Sequence, residues 1–228
     1  RFAEFVGVAF PNTPFRGAEL VGMPMSDEIA NLDRKAQRSE AMHRLGLDES
    51  LPTVIVTGGS LGALTLNKAV EANIDALADW GFQVLHITGK GKAILDEQGN
   101  PRTAKNYHQM EFCTSMQDVY AAADLLVVRS GAATVSEVAA VGVPAVFVPL
   151  PHGNGEQSLN IRPLLEEGAA RLVEDQDATA EWFASEIPAL MADSALLERM
   201  AQKAYKLGIR DAARVMAERT LKAVKHSD

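Results

Sequence analysis

From Pro52 onward, short unbroken apolar runs alternate with stretches whose apolar residues recur at helical spacing. "TVIVT" (53–57), "FQVLHIT" (82–88), "DLLVV" (124–128) and "PAVFVP" (144–149) read as buried strands, and "NYHQMEF" (106–112) and "AARLVE" (169–174) add two more. Between them, "LGALTLNKAVEANIDALADW" carries an apolar stripe at helical period, and a short helix is expected after the Gly-Lys-Gly of "HITGKG". "SMQDVYAAA" reads as a short helix opened by Ser115, a further helix follows "RSG", and "EQSLNIRPLLEEG" reads as one helix stopped by Gly168. Two or three helices finish the chain from about Thr179, with a break at Pro188. Parallel neighbours need crossover connections, so this alternation predicts an α/β fold, a Rossmann-like parallel sheet with helices on both faces. Continuously apolar strands suit such a sheet, which is buried on both sides.

Residues 1–51 follow a different rhythm. Pro and Gly interrupt short apolar pieces, which read as a strand or two plus a connector, and "RKAQRSEAMHRLGL" then looks like a charged surface helix leading into the sheet. The 228 residues are enough to bury a good core. No apolar run approaches the ~20 residues of a membrane span. The opening "RFAEFVGVAF" has neither an initiator Met nor the order of a signal peptide. A net charge of −8, spread along the chain, argues against nucleic acid as a partner, because phosphate neutralisation needs a basic surface. The single cysteine, Cys113, excludes an intramolecular disulfide framework and suggests a reducing, cytoplasmic setting.

Ligands of such sheets bind beyond the carboxyl ends of the strands, so the residues just after each strand carry the candidate chemistry. Gly58, Gly59, Ser60 and Gly62 in "VTGGSLGA" form a glycine turn before a helix, where backbone can approach a phosphate and free N–H groups meet it. It is neither a Walker loop nor a clean G-x-G-x-x-G. In "RSGAATVSE", the amides of Ala132, Ala133 and Thr134 would open a helix after Ser130 and Gly131, again suited to a diphosphate. Glu137 follows Thr134 at the spacing of a capping box, yet also stands beside a candidate ligand site; the residues alone leave both roles open. Gln157 and Asn160 share a helix face, as do Glu156 and Asn160, and suit either sugar hydroxyls or a polar first turn. The Asp175-x-Asp177 pair resembles a metal motif, but Asp177 is also a natural helix cap. Ser60 fits the G-x-S-x-G pattern of a hydrolase, whose histidine would have to be His152.

Taken together, "VTGGSLGALTLN", "HITGKG", "ADLLVVRSGAATVSEVAAVGVPAVFVPLPH", "EQSLN" and "EEGAARLVED" closely resemble the MurG-type peptidoglycan glycosyltransferases, in order, over roughly residues 20–210. The resemblance implies one half of a GT-B enzyme, an inverting hexosyltransferase that moves N-acetylglucosamine from UDP-N-acetylglucosamine to the C4 hydroxyl of the muramyl sugar of lipid I. It implies no cofactor, no divalent metal in this domain, and a peripheral place on the inner face of the bacterial membrane. Residues 1–25 would be the end of an acceptor domain and hinge, 26–210 the donor-binding domain, and 211–228 a helix packing on an N-terminal domain that lies upstream. Lipid I, membrane contact and the general base would belong to that domain, leaving this chain inactive alone.

Residue by residue, the resemblance makes Glu137 the ribose ligand. It places Gly59, Ser60 and Gly62 along the diphosphate and sugar, and Arg129, Ser130, Gly131, Ala132, Ala133 and Thr134 beside the donor. Glu156, Gln157 and Asn160 would lie at the sugar, and the backbone of Cys113 would pair with uracil. Two positions depart from the family pattern: Ser26 stands where an arginine is usual, and Glu156 where a first glutamine is usual. The alternatives are a UDP-sugar-binding module without activity of its own, and an enzyme like the UDP-N-acetylglucosamine 2-epimerases.

Overall fold

The computed structural model describes residues 3–11, 13–59, 62–151 and 155–225. The chain begins with β1 (Gly7–Val8) and β2 (Glu19–Leu20), a small parallel pair, followed by α1 (Asp27–Ala30) and α2 (Arg34–Leu45). The main domain then runs β3 (Thr53–Thr57), α3 (Leu64–Glu71), β4 (Gln83–Ile87), β5 (Tyr107–Met110), α4 (Met116–Ala122), β6 (Leu125–Val128), α5 (Ala132–Val141) and β7 (Ala145–Phe147). It continues through α6 (Glu156–Asn160), α7 (Arg162–Glu166), β8 (Arg171–Leu172), α8 (Ala180–Ala192), α9 (Ser194–Leu207) and α10 (Ala212–Lys225).

Six parallel strands form one sheet in the order β5-β4-β3-β6-β7-β8. Side chains alternate between its faces. Ile55, Leu126 and Phe147 enter one apolar layer with Tyr120 and Val135, while Val54, Val127 and Val146 enter the other with Leu66 and Phe183. Both layers exclude water, which is why the strands read as continuous apolar runs. Strand order reverses direction at β3, so the loops after β3 and β6 diverge and open a crevice there.

The charged helix α2 is more than a surface element. Arg34 donates to the carbonyls of Tyr120 (2.9 Å), Gly142 (2.7 Å) and Ala123, closing the ends of α4 and α5, and Arg44 forks onto Asp118 at 2.9 and 2.6 Å. Burial lowers the Arg34 pKa to about 10, which leaves it charged at neutral pH.

Four local expectations are corrected. No helix follows Gly-Lys-Gly: Asp96 bonds the amides of Gln98 and Asn100, and Leu95 bridges Pro101, so the segment is held in turns. The helix expected over 156–167 is two, because Pro163 has no N–H to continue the first and sits in the opening turn of the second. Pro188 breaks nothing; it lies inside α8, whose Phe183, Ile187 and Leu190 are buried in the core, and the break falls at Asp193, which caps α9. Thr179, not Asp177, caps α8, through the Trp182 amide at 3.2 Å.

Candidate functional site

The crevice between the β3 and β6 loops is a cleft of about 480 Å³. Glycines set its back wall. Gly62 has φ +65° and donates to the Gly59 carbonyl at 2.9 Å; a Cβ there would stand 2.1 Å from the Thr88 carbonyl oxygen. Only glycine lets this turn lie so close to the end of β4. The Thr88 carbonyl is itself held, accepting from Asn67 Nδ2 at 2.9 Å. Asn67 Oδ1 faces His86 Nε2 at 3.0 Å, and His86 Nδ1 faces the Tyr107 hydroxyl at 3.1 Å. With Asn67 Nδ2 donating elsewhere, its oxygen must accept, so the proton is on Nε2 and Nδ1 accepts from Tyr107. Burial lowers the His86 pKa to about 4, keeping the ring neutral.

Opposite the glycines, α5 starts directly after Gly131, whose extended backbone caps the helix without any side-chain hydrogen bond. A Cβ on Gly131 would meet nothing within 4 Å, so open space lies in front of the helix start. The first-turn amides keep their positive end toward that space. Thr134 lies inside the helix rather than at the cap, so the Thr134–Glu137 capping box does not form. Glu137 instead turns into the cleft, where Oε2 accepts from the Tyr120 hydroxyl at 2.6 Å. Burial raises the Glu137 carboxyl above its ordinary value, partly offset by the Tyr120 bond; burial, then the Glu137 charge, pushes the Tyr120 hydroxyl well up.

Gly59, Gly62, Cys113, Arg129, Gly131, Thr134, Glu137 and Gln157 all line this one cleft. Several of them are also committed within the protein. Arg129 Nη1 donates to the carbonyls of Val148 (3.1 Å) and Pro149 (3.0 Å) and pairs with Asp175 at 2.5 Å, while Asp175 accepts from Thr65 at 2.9 Å. The aspartate suspected as a metal ligand thus clamps β6 to the start of α3. Gln157 Oε1 accepts the Leu150 amide at 2.9 Å, and Asn160 donates to the Ser130 carbonyl at 3.1 Å, so both fasten α6 to the loops above the sheet. Ala132, Ala133, Ser130 and Glu156 are not among the side chains that line the cleft; Ser130 is buried and Glu156 is exposed. Ser60, Leu61 and His152 lie outside the described residues.

Cys113 is half-buried, its thiol turned to the Ser115 carbonyl at 3.5 Å and pushed up in pKa by burial. The cleft also holds Tyr120, Phe112, Met116 and Leu150, which sequence reasoning passed over. A lone tyrosine inside "DVYAAA" reads as core; the polar tip that buried tyrosines must satisfy was the available signal. A larger hollow of about 800 Å³ lies near the start of α2 and the end of α5, but the Arg34 and Arg210 guanidiniums there already cap main-chain carbonyls.

Fold and cleft together define a doubly wound α/β domain with an anion-suited crevice at its switch point. Residues 53–216 match the family described as the glycosyltransferase family 28 C-terminal domain, and the chain belongs to that family. It is 54% identical, over 98% of its length, to the UDP-N-acetylglucosamine–N-acetylmuramyl-(pentapeptide) pyrophosphoryl-undecaprenol N-acetylglucosamine transferase of Paenarthrobacter aurescens, and covers 60% of that protein. The protein of the same description from a Nocardioides species is 48% identical, with 96% of this chain and 61% of that one covered. The crystal structure of Acinetobacter baumannii MurG superposes with a TM-score of 0.77 at 28% identity, over 96% of this chain and 60% of that one. The chain therefore spans about three-fifths of the length of the relatives it matches.

Proposed function

We propose that this chain is the donor-binding half of an enzyme that transfers N-acetylglucosamine from UDP-N-acetylglucosamine to lipid I, forming lipid II. The relatives' description supports the reaction, and the observation that carries the assignment to this cleft is Glu137 standing in it beside the open start of α5. In this account a diphosphate lies between the glycine turn and the α5 amides, and the Glu137 carboxylate accepts the two ribose hydroxyls. The acceptor's C4 oxygen attacks the anomeric carbon as its bond to the diphosphate breaks. UDP takes the electron pair, and the hydroxyl proton passes to a base on the acceptor side. Fixed N–H dipoles stabilise the charge that grows on the leaving diphosphate, so no metal is needed for that role. The lipid acceptor and contact with the inner face of the membrane fall to the remaining part of the enzyme. Among the described residues no helix is long and apolar enough to cross a membrane.

Lipid I turnover, measured with EDTA present, separates an enzyme from a binding module. The chain alone should give none, and addition of the N-terminal part of a relative should restore it. Turnover by the chain alone would overturn the division of labour. Continued inactivity of a reconstituted, UDP-binding protein would favour the pure binding module.

A further inference from the structure

Not every side chain of the cleft comes from a loop. Tyr120, on α4, is 1% exposed, and its ring packs in the layer formed with Val119, Leu126 and Val135. Its own carbonyl is fastened by Arg34 at 2.9 Å, so both ends of the residue are fixed. Its hydroxyl donates to Glu137 Oε2 at 2.6 Å. A phenol has one proton to give, and here it is spent on Oε2, which leaves Oε1 free to accept from a ligand. The terminal torsion of glutamate is intrinsically broad. A buried donor at this distance therefore sets the plane of the carboxylate.

We infer that Tyr120 is a positioning residue: it presents the Glu137 carboxylate to the vicinal hydroxyls of a ribonucleoside diphosphate and so sets the preference for ribose over sugars lacking them. This rests on the assignment of Glu137 as the ribose ligand. In this proposal Tyr120 acts through Glu137, on which its one hydroxyl proton is spent. Its contribution should therefore depend on whether the ligand has hydroxyls to offer.

The test titrates the full chain with UDP and with 2′,3′-dideoxy-UDP. The wild type should favour UDP. Tyr120→Phe keeps the ring and its packing; it should weaken UDP about fivefold to tenfold while leaving the dideoxy ligand within about twofold, the scale of one charge-assisted hydrogen bond lost from a ligand's partner. In a Glu137→Ala background, where Tyr120 has no side chain left to position, the same substitution should add nothing. Equal weakening of both ligands marks a merely structural role and overturns the proposal, as does an unchanged UDP affinity. A wild type that binds UDP but does not distinguish the two ligands overturns the ribose assignment beneath it. A variant-free measurement stands alongside: the ring carbon of labelled Tyr120 that bears the hydroxyl should shift in its NMR signal on adding UDP and stay put with the dideoxy ligand. The same shift with both ligands contradicts the proposal.

Discussion

Because burial raises the Glu137 carboxyl, its charged form is disfavoured in the fold while a ribose diol would require it. A carboxylate whose folded pKa is raised loses stability as pH climbs through the folded value, so at neutral pH this group costs the fold something. Glu137→Gln removes that cost and keeps an acceptor for Tyr120. The thermal midpoint should stay level or rise, while calorimetry should show UDP affinity falling about tenfold or more. In the wild type, UDP binding should weaken as pH falls through the raised carboxyl value. His86 has the opposite linkage. Its folded pKa of about 4 lies below the ordinary 6.5, so the unfolded chain takes up its proton first. Stability should fall as pH drops from the upper value to the lower, by roughly 3 kcal/mol at the end of that window. Denaturant titrations across that range test this, and His86→Gln should flatten the profile.

Two glycines separate folding from binding at the scale of elements. Gly62→Ala places a methyl against the Thr88 carbonyl at a positive φ, and should cost about 1–3 kcal/mol or more of stability together with UDP binding. Gly131 has an ordinary φ of −60° and empty space before it. Gly131→Ala should melt like the wild type yet bind UDP more weakly, because the methyl fills the space in front of α5. Melting curves beside titrations of both variants check the pair.

The strands were legible in the sequence because a sheet covered on both faces leaves a continuous apolar imprint. The glycine turns stood out because strand ends in this fold class are where ligands go. The residues alone left Glu137 between a helix cap and a cleft position, and only its bond to Tyr120 removes the cap. Helix limits around Pro163 and Pro188 were not legible. A proline's missing N–H ends one helix and opens the next at Pro163, yet the same residue type is carried inside α8 at Pro188, where Phe183, Ile187 and Leu190 hold the helix in the core. The Arg129–Asp175–Thr65 clamp and the Tyr120–Glu137 pair were also hidden, since each joins residues that only the fold brings together.

For the molecule as a whole, the last helix ties back to the first residues. Arg219 forks onto Glu19 at 2.7 and 2.6 Å and lies over the Phe5 ring, so α10 rests on the β1–β2 pair rather than on the main sheet. Leu221 and Val224 remain exposed on the same helix. Among the described residues the cleft is lined by the main sheet and its loops, from Thr57 to Gln157, so the proposed donor binding should be measurable on this chain by itself. The most direct measurement is a calorimetric titration of UDP-N-acetylglucosamine and of UDP-glucose into the wild type and Glu137→Ala. One-site binding that is tighter for UDP-N-acetylglucosamine, and at least about tenfold weaker without Glu137, is the predicted result. No binding of UDP-N-acetylglucosamine, or equal affinity in Glu137→Ala, would contradict the account.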